Sequence, residues 1–217
     1  MATMMIYGAS GYTGALIARA AVRQGLRPIL AGRSADKLAP LASELGLTTR
    51  AFDLQNPAVV EGQLGGIAVL LNAGGPFKRT AQPLAAACLR TGTHYLDLAG
   101  EVPEFEALLA RDQEAQAAGV LLMPGVGFGV VPTDCLAVYL KGQLPSATTL
   151  TLAFETVGGV SPGTAETVIE DLPGGGVARR DGRLVRVPAG LHRRQIDFGR
   201  GPVATLSNPW RGDLSTA

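Results

Sequence analysis

Met4-Met5-Ile6-Tyr7-Gly8-Ala9-Ser10-Gly11-Tyr12-Thr13-Gly14 is the stretch that decides the fold. A short apolar run leads directly into three glycines spaced three apart, and Ala15 to Gln24 continue with Ala, Leu, Ile and Arg as a helix does. The layout is strand, tight turn, helix start. Gly8 permits the turn, Gly11 lets the backbone approach a bound group, and Gly14 lets the helix lie close on the sheet. Amides at a helix start lack intrahelical acceptors and carry the positive end of the helix dipole, so such a turn suits phosphates. Ser10, Tyr12 and Thr13 complete the candidate pyrophosphate site. Glycine makes up 29 of the 217 residues, so the spacing alone is weak evidence. The strand before it and the helix after it give it weight.

A second signal lies 19 residues past Gly14, where Ile29-Leu30-Ala31 ends in Gly32-Arg33-Ser34. Dinucleotide folds that take NAD place an Asp or Glu near the end of the second strand to accept from the ribose 2′-hydroxyl. Arg33 stands there instead. A carboxylate would repel a 2′-phosphate, whereas a guanidinium pairs with it through two hydrogen bonds, Ser34 donates another, and Lys37 adds a point charge one turn on. NADP is therefore the expected cofactor. A solvated helix start is the plainer alternative for Arg33 and Lys37.

Composition restricts the field further. An apolar fraction of 47% with 17% charged residues describes a globular chain, and the net charge of +1 without a basic block gives no reason to expect nucleic acid or anionic membrane as partners. No run of 18 apolar residues and no signal peptide are present, which predicts a cytoplasmic protein. Cys88 and Cys135 lack metal-ligand spacing and read as small hydrophobes.

Short β-like runs alternate with helical stretches through the first 140 or so residues. Strands are expected at Met4–Tyr7, Pro28–Ala31, Thr48–Phe52, Ile67–Leu71, Tyr95–Leu98 and Val120–Met123. Helices are expected at Thr13–Gln24, Ala35–Leu45, Pro57–Gln63, Thr80–Arg90, Pro103–Ala118 and Pro132–Lys141. This alternation predicts an α/β fold, a doubly wound parallel Rossmann sheet spanning residues 1–144. Residues 145–217 read as the start of an α+β second domain with an antiparallel sheet, serving substrate binding or dimerisation. Within it, Ala147–Glu155 alternates as a strand, Ser161–Asp171 reads as a helix, Asp181-Gly182 marks a hairpin, and Gln195–Phe198 and Pro202–Leu206 read as strands.

Three segments carry a resemblance: Gly8 to Gly14, Asn72-Ala73-Gly74-Gly75-Pro76-Phe77, and His94-Tyr95-Leu96-Asp97-Leu98-Ala99-Gly100-Glu101. In this order they resemble the saccharopine dehydrogenase-like family, which includes saccharopine reductases and trans-acting enoyl reductases. Pro124 to Asp134 resembles the family's Gly-Phe-rich segment, although its central residues differ here, and Gly163 to Gly182 resembles the opening of the second domain in bacterial members. The resemblance implies an NADP-dependent oxidoreductase and leaves the substrate open. Family members usually run more than a hundred residues further, so the chain is expected to correspond to an N-terminal portion, and a homodimer is an expectation from resemblance only.

The remaining candidates sit after the later strands. Asn72, Ala73, Gly74, Pro76 and Phe77 follow the fourth strand at the carboxyl edge of the sheet, where open α/β folds bind ligands, and are expected to meet the cofactor. Asp53 is a candidate for the adenine amino group and Leu54 for the ring face, with Asp53 equally suited to a turn. Tyr95, Asp97 and Glu101 alternate toward one cleft, which makes Tyr95 and Glu101 the catalytic candidates and places the Gly100 amide near the nicotinamide. Lys78 and His94 are lesser candidates for the same work, and loop-shaping is the alternative for all of them. No Tyr is followed four residues later by Lys, and Gly-x-Ser-x-Gly, a P-loop and metal-binding clusters are missing, so short-chain dehydrogenase, hydrolase and phosphotransferase chemistry are not expected. The rival from another class is a regulator that binds NADP(H) and senses its redox state without turnover.

Overall fold

The computed structural model describes residues 3–155, 158, 175–188, 190–207 and 211–216. It divides into two compact units, residues 1–99 with 103–126, and residues 100–102 with 127–217.

The first unit is built on β1 (Met4–Tyr7), β2 (Ile29–Gly32), β3 (Thr49–Ala51), β4 (Val69–Asn72), β5 (His94–Asp97) and β6 (Leu122–Met123). All pair in parallel in the order β3-β2-β1-β4-β5-β6. The chain moves outward from β1 through β2 to β3, then returns to the other side of β1 with β4. That reversal opens a crevice at the carboxyl ends of β1 and β4, the place where open α/β sheets bind ligands.

Alternation along each strand sorts the core into two faces. Met5, Tyr7, Ala31, Leu70 and Tyr95 belong to one cluster with Val60 and Leu64, Leu84 and Cys88. These last four come from or adjoin α3 (Pro57–Gln63) and α4 (Phe77–Thr91). Ile6 and Leu30 face the other way, onto Ala18 of α1 (Tyr12–Arg23) and Leu38 and Leu41 of α2 (Ala35–Leu45). Each large side chain so buried contributes about 1.5–3 kcal/mol. Local signals fix the helix ends. Ser34 caps α2 by accepting from the Lys37 amide, Asn56 caps α3 by accepting from the Ala58 amide, and Pro57 follows in the first turn.

The expected helix over Pro103–Ala118 is two helices, α5 (Val102–Leu109) and α6 (Asp112–Ala118). The Arg111 amide donates to the Leu108 carbonyl only three residues back, and Arg111 pairs with Glu114. The tightened turn breaks the helix and lets Leu108 and Ala115 both reach the interior.

The second unit contains α7 (Val131–Gln143) and two antiparallel hairpins. One joins β7 (Gly176–Arg180) to β8 (Arg183–Val187), and the other joins β9 (Arg193–Asp197) to β10 (Pro202–Leu206). Asp181 and Gly182 take φ of 49° and 74°, the double positive φ of a type I′ turn that the Asp-Gly pair favours. A single helical turn, Asp213–Thr216, is tied to α7 by the Thr133 hydroxyl, which donates to the Asp213 carboxylate at 2.6 Å. Arg211 bonds the same carboxylate at 3.1 Å, and its guanidinium lies 4.5 Å from the Phe154 ring centre. Ala147–Glu155, expected as a strand, is not one. No described strand pairs with it, and alternation without a neighbour does not sustain a strand. The expected helix Ser161–Asp171 lies outside the described residues.

Candidate functional site

The glycine turn after β1 and the loop after β4 press against each other at the sheet's reversal point. Gly8 has φ of 80°, and a Cβ there would fall 2.5 Å from the Gly74 amide nitrogen. A Cβ on Gly14 would fall 2.3 Å from the Gly8 carbonyl oxygen, so α1 seats on the turn only because that side chain is missing. Gly11 is exposed and adopts an extended conformation as the N-cap of α1, without a side-chain cap. No acidic residue occupies the first turn of α1. The amides of Tyr12, Thr13 and Gly14 meet no side-chain acceptor among the described residues, and Ser10, Tyr12 and Thr13 are exposed beside them. An anion would complete the helix end.

Arg33 and Lys37 are exposed at the end of β2 and the start of α2, and neither side chain has a hydrogen bond or ion pair among the described residues. Ser34 is half-buried, and its oxygen accepts from the Lys37 amide at 3.4 Å, which leaves its own hydrogen free to donate. The nearest strand end, β3, is followed by Phe52, Asp53 and Leu54. Asp53 is exposed and accepts from the Gln55 amide at 2.9 Å in an Asx turn, while Leu54 is half-buried against the core. The Asx turn fixes the Asp53 carboxylate at the exposed rim of this loop.

A buried polar network holds the loop after β4. Asn72 is fully buried, and its Oδ1 accepts from the Gly74 amide at 3.0 Å. Its Nδ2 donates to Thr80 Oγ1 at 3.0 Å and to the Tyr95 hydroxyl at 3.1 Å. Thr80 in turn donates to the Gly74 carbonyl at 2.7 Å. Ala73 and Gly74 are thereby fixed against the glycine turn, with the Ala73 amide donating to the Tyr7 carbonyl at 2.8 Å. Pro76 is the N-cap of α4, and Phe77, its first residue, is half-buried.

Tyr95 is a corrected expectation. It is fully buried, and its hydroxyl donates to Asp97 Oδ2 at 2.9 Å while accepting from Asn72. Burial, reinforced by the facing Asp97 charge, pushes the phenol well above its ordinary range. Tyr95 is a strut joining β5 to β4, sealed from any substrate. Asp97 is equally buried, and its Oδ1 accepts from the Ala99 and Gly125 amides at 2.9 Å each. Glu101 and Gly100 fall in the second unit, where the Gly100 amide donates to the Glu101 carboxylate at 2.8 Å. The sequence reading missed Thr80 and the structural role of Asp97, because neither periodicity nor motif spacing shows which polar groups pair across strands. Arg179 of β7 donates to the carbonyls of Gly182 and Leu214.

A six-stranded parallel sheet in this order, with an uncapped glycine turn at its reversal point, is a dinucleotide-binding domain of the Rossmann class. The model of the saccharopine dehydrogenase NADP-binding domain matches residues 4–123, and the chain belongs to that family. A saccharopine dehydrogenase-like oxidoreductase from Bos taurus is 28% identical over 177 residues, covering 71% of this chain and 41% of that protein. A trans-acting enoyl reductase from Mycobacterium leprae is 35% identical over 144 residues, covering 63% of this chain and 34% of that protein. The chain thus spans between about a third and under half of the length of the curated relatives it matches. Among solved structures, apo saccharopine dehydrogenase (L-Glu forming) from Saccharomyces cerevisiae aligns with a TM-score of 0.66 at 14% identity, over 96% of this chain and 50% of that one. That likeness supports the fold.

Proposed function

We propose that this chain binds NADP(H) and serves as the cofactor half of an NADP-dependent oxidoreductase acting on a small molecule. The observation that carries the reading is the pairing of an uncapped, acid-free helix start with an exposed, unpaired Arg33 at the end of β2. The α1 amides would hold the pyrophosphate, and Arg33, Ser34 and Lys37 would hold the 2′-phosphate. The backbone of Ala73 and Gly74, fixed by Asn72 and Thr80, would line the path between them. When bound, the cofactor supplies or accepts a hydride at its nicotinamide. The chain's own work is to bind it, orient it and choose between its phosphorylated and unphosphorylated forms. Glu101 is the remaining catalytic candidate, as a proton donor or polarising group, now that Tyr95 is sealed in the core.

That same burial of Tyr95 favours a second reading, a binder that senses the NADP redox state without turnover. The test is NADPH consumption across carbonyl, imine and enoyl compounds, read by loss of nicotinamide absorbance. Turnover with any of them supports the oxidoreductase. Tight binding of both redox forms without turnover supports the sensor.

A further inference from the structure

The rim of the crevice is held differently on the two sides of the sheet's reversal point. On the β1 side the bonds are all backbone: the Gly8 and Ala9 amides donate to the Ala31 carbonyl at 2.8 and 3.1 Å, and the Gly11 amide donates to the Gly8 carbonyl at 3.0 Å. Past the reversal point, backbone bonds from Ala73 to Tyr7 and from Val126 to Asp97 are joined by side chains. Asn72, the last residue of β4, accepts from the Gly74 amide. Asp97, in register with it at the end of β5, accepts from the Ala99 amide after β5 and the Gly125 amide after β6. The Tyr95 hydroxyl is bonded to both side chains and so connects the two anchors. Three loops are tied to one buried chain of polar groups.

Donor and acceptor chemistry gives that chain a single direction. The Gly74 amide can only donate, so Asn72 must turn Oδ1 toward it and Nδ2 away. Nδ2 can only donate in its turn, so the Tyr95 oxygen accepts from it and the phenol's one hydrogen goes to Asp97 Oδ2. All three partners of Asp97 are donors, which suits the acceptor-only carboxylate. Thr80 obeys the same polarity, accepting from Asn72 Nδ2 and donating to the Gly74 carbonyl. Asn72, Tyr95 and Asp97 are each 0% exposed, so they act on a ligand only through the loops they hold.

We propose that Tyr95 and Asp97 are positioning residues for the nicotinamide half of the cofactor, setting the loops after β4, β5 and β6 that line that half while leaving the adenosine half alone. This rests on the NADP(H) reading above. A dinucleotide spans the reversal point of such a sheet with one mononucleotide on each side. Arg33 and the glycine turn serve the adenosine side, so the nicotinamide falls on the side of β4, β5 and β6. A strut that merely stabilised the domain would affect every ligand alike. This one distinguishes them: cutting it penalises a ligand that reaches past the pyrophosphate and spares one that stops short of it.

Two variants cut the chain. Tyr95→Phe keeps the ring in the core and removes the link between Asn72 and Asp97. Asp97→Asn keeps an oxygen for the Ala99 and Gly125 amides but turns a donor toward the phenol, whose hydrogen then lacks an acceptor. Each is compared with wild type by calorimetric titration with NADPH and with adenosine 2′,5′-bisphosphate, by the fluorescence anisotropy of bound NADPH, and by amide hydrogen exchange without ligand. Both variants are expected to bind NADPH about fivefold more weakly, within the twofold to twelvefold range of one net hydrogen bond, and to bind the bisphosphate as wild type does. Bound NADPH should show lower nicotinamide anisotropy. Without ligand, exchange should quicken at Gly74 and Gly125 and stay unchanged at Gly8 and Gly11. NADPH binding unaltered in both variants overturns the proposal. An equal loss for NADPH and the bisphosphate also overturns it, since that marks a general loosening of the domain. Wild type that binds neither ligand removes the cofactor reading and the proposal with it, and is told apart from a failed relay because no variant is needed to see it.

Discussion

Removing the Asp97 side chain should cost more than any other single truncation at the carboxyl edge of the sheet. The carboxylate is fully buried and accepts from the Ala99 amide, the Gly125 amide and the Tyr95 hydroxyl. Asp97→Ala strands all three donors, each at about 1–3 kcal/mol if left dry, and water entering the small space recovers part of that. A net loss of about 3–5 kcal/mol is expected, a large share of the roughly 5–15 kcal/mol that holds a domain folded. Asp97→Asn keeps an oxygen for the two amides and disturbs only the Tyr95 contact, so about 1 kcal/mol is expected at neutral pH. Burial holds the Asp97 carboxyl above its ordinary value, against the opposing pull of the Gly125 and Ala99 amides. Between the ordinary and the raised value, the folded state retains a proton that the unfolded chain has released, so this group's contribution to stability falls as pH rises through that window. The asparagine variant cannot ionise and should gain on wild type over the same window. Urea unfolding of the three proteins from acid to neutral pH measures both effects. An Asp97→Ala protein within 1 kcal/mol of wild type, or an Asp97→Asn difference that does not move with pH, refutes the reasoning.

Other perturbations give sharp outcomes. Gly14→Ala forces a Cβ to 2.3 Å from the Gly8 carbonyl oxygen, so α1 must shift, at about 1–3 kcal/mol of stability and with loss of NADPH binding in titration. An unchanged affinity would mean that the α1 amides do not hold the phosphates. Asn72→Ala releases the Gly74 amide and the Tyr95 hydroxyl together, and should weaken NADPH binding while adding susceptibility to proteolysis in the loop after β4. Binding unaltered by Asn72→Ala would count against that loop as a cofactor contact. Burial pushes the Cys88 thiol up to about 12, whereas Cys135 is exposed, so a disulfide reagent at mildly alkaline pH should titrate one thiol per native chain and two after denaturation. Two fast thiols in the native protein would place Cys88 outside the core.

What sequence could and could not convey follows from the kind of physics involved. The glycine turn was readable because each glycine answers a steric demand: a Cβ on Gly8 or Gly14 would fall 2.5 or 2.3 Å from backbone atoms. The Asp181-Gly182 hairpin was readable for the same reason, since the two positive φ values restrict the residues that fit. Strand and helix ends shifted by one to three residues because neighbouring strands and caps decide them, as where α4 begins at Phe77 and not at Thr80. Alternation correctly placed Tyr95 and Asp97 on one face of β5. It said nothing of Asn72, 23 residues earlier, whose amide bonds the Tyr95 hydroxyl inside the core. A polar residue near a sheet edge looks the same in sequence whether it faces a ligand or a neighbouring strand.

The central claim is that Arg33, exposed and unpaired beside the glycine turn, selects the phosphorylated cofactor. Its most direct test is a pair of binding isotherms, NADPH and NADH, on wild type and Arg33→Asp. One charge-assisted hydrogen-bonding group is worth about 1.5–3 kcal/mol, so wild type should prefer NADPH by roughly ten- to a hundredfold and the variant should reverse the order. Equal affinity of wild type and Arg33→Asp for NADPH would contradict the account.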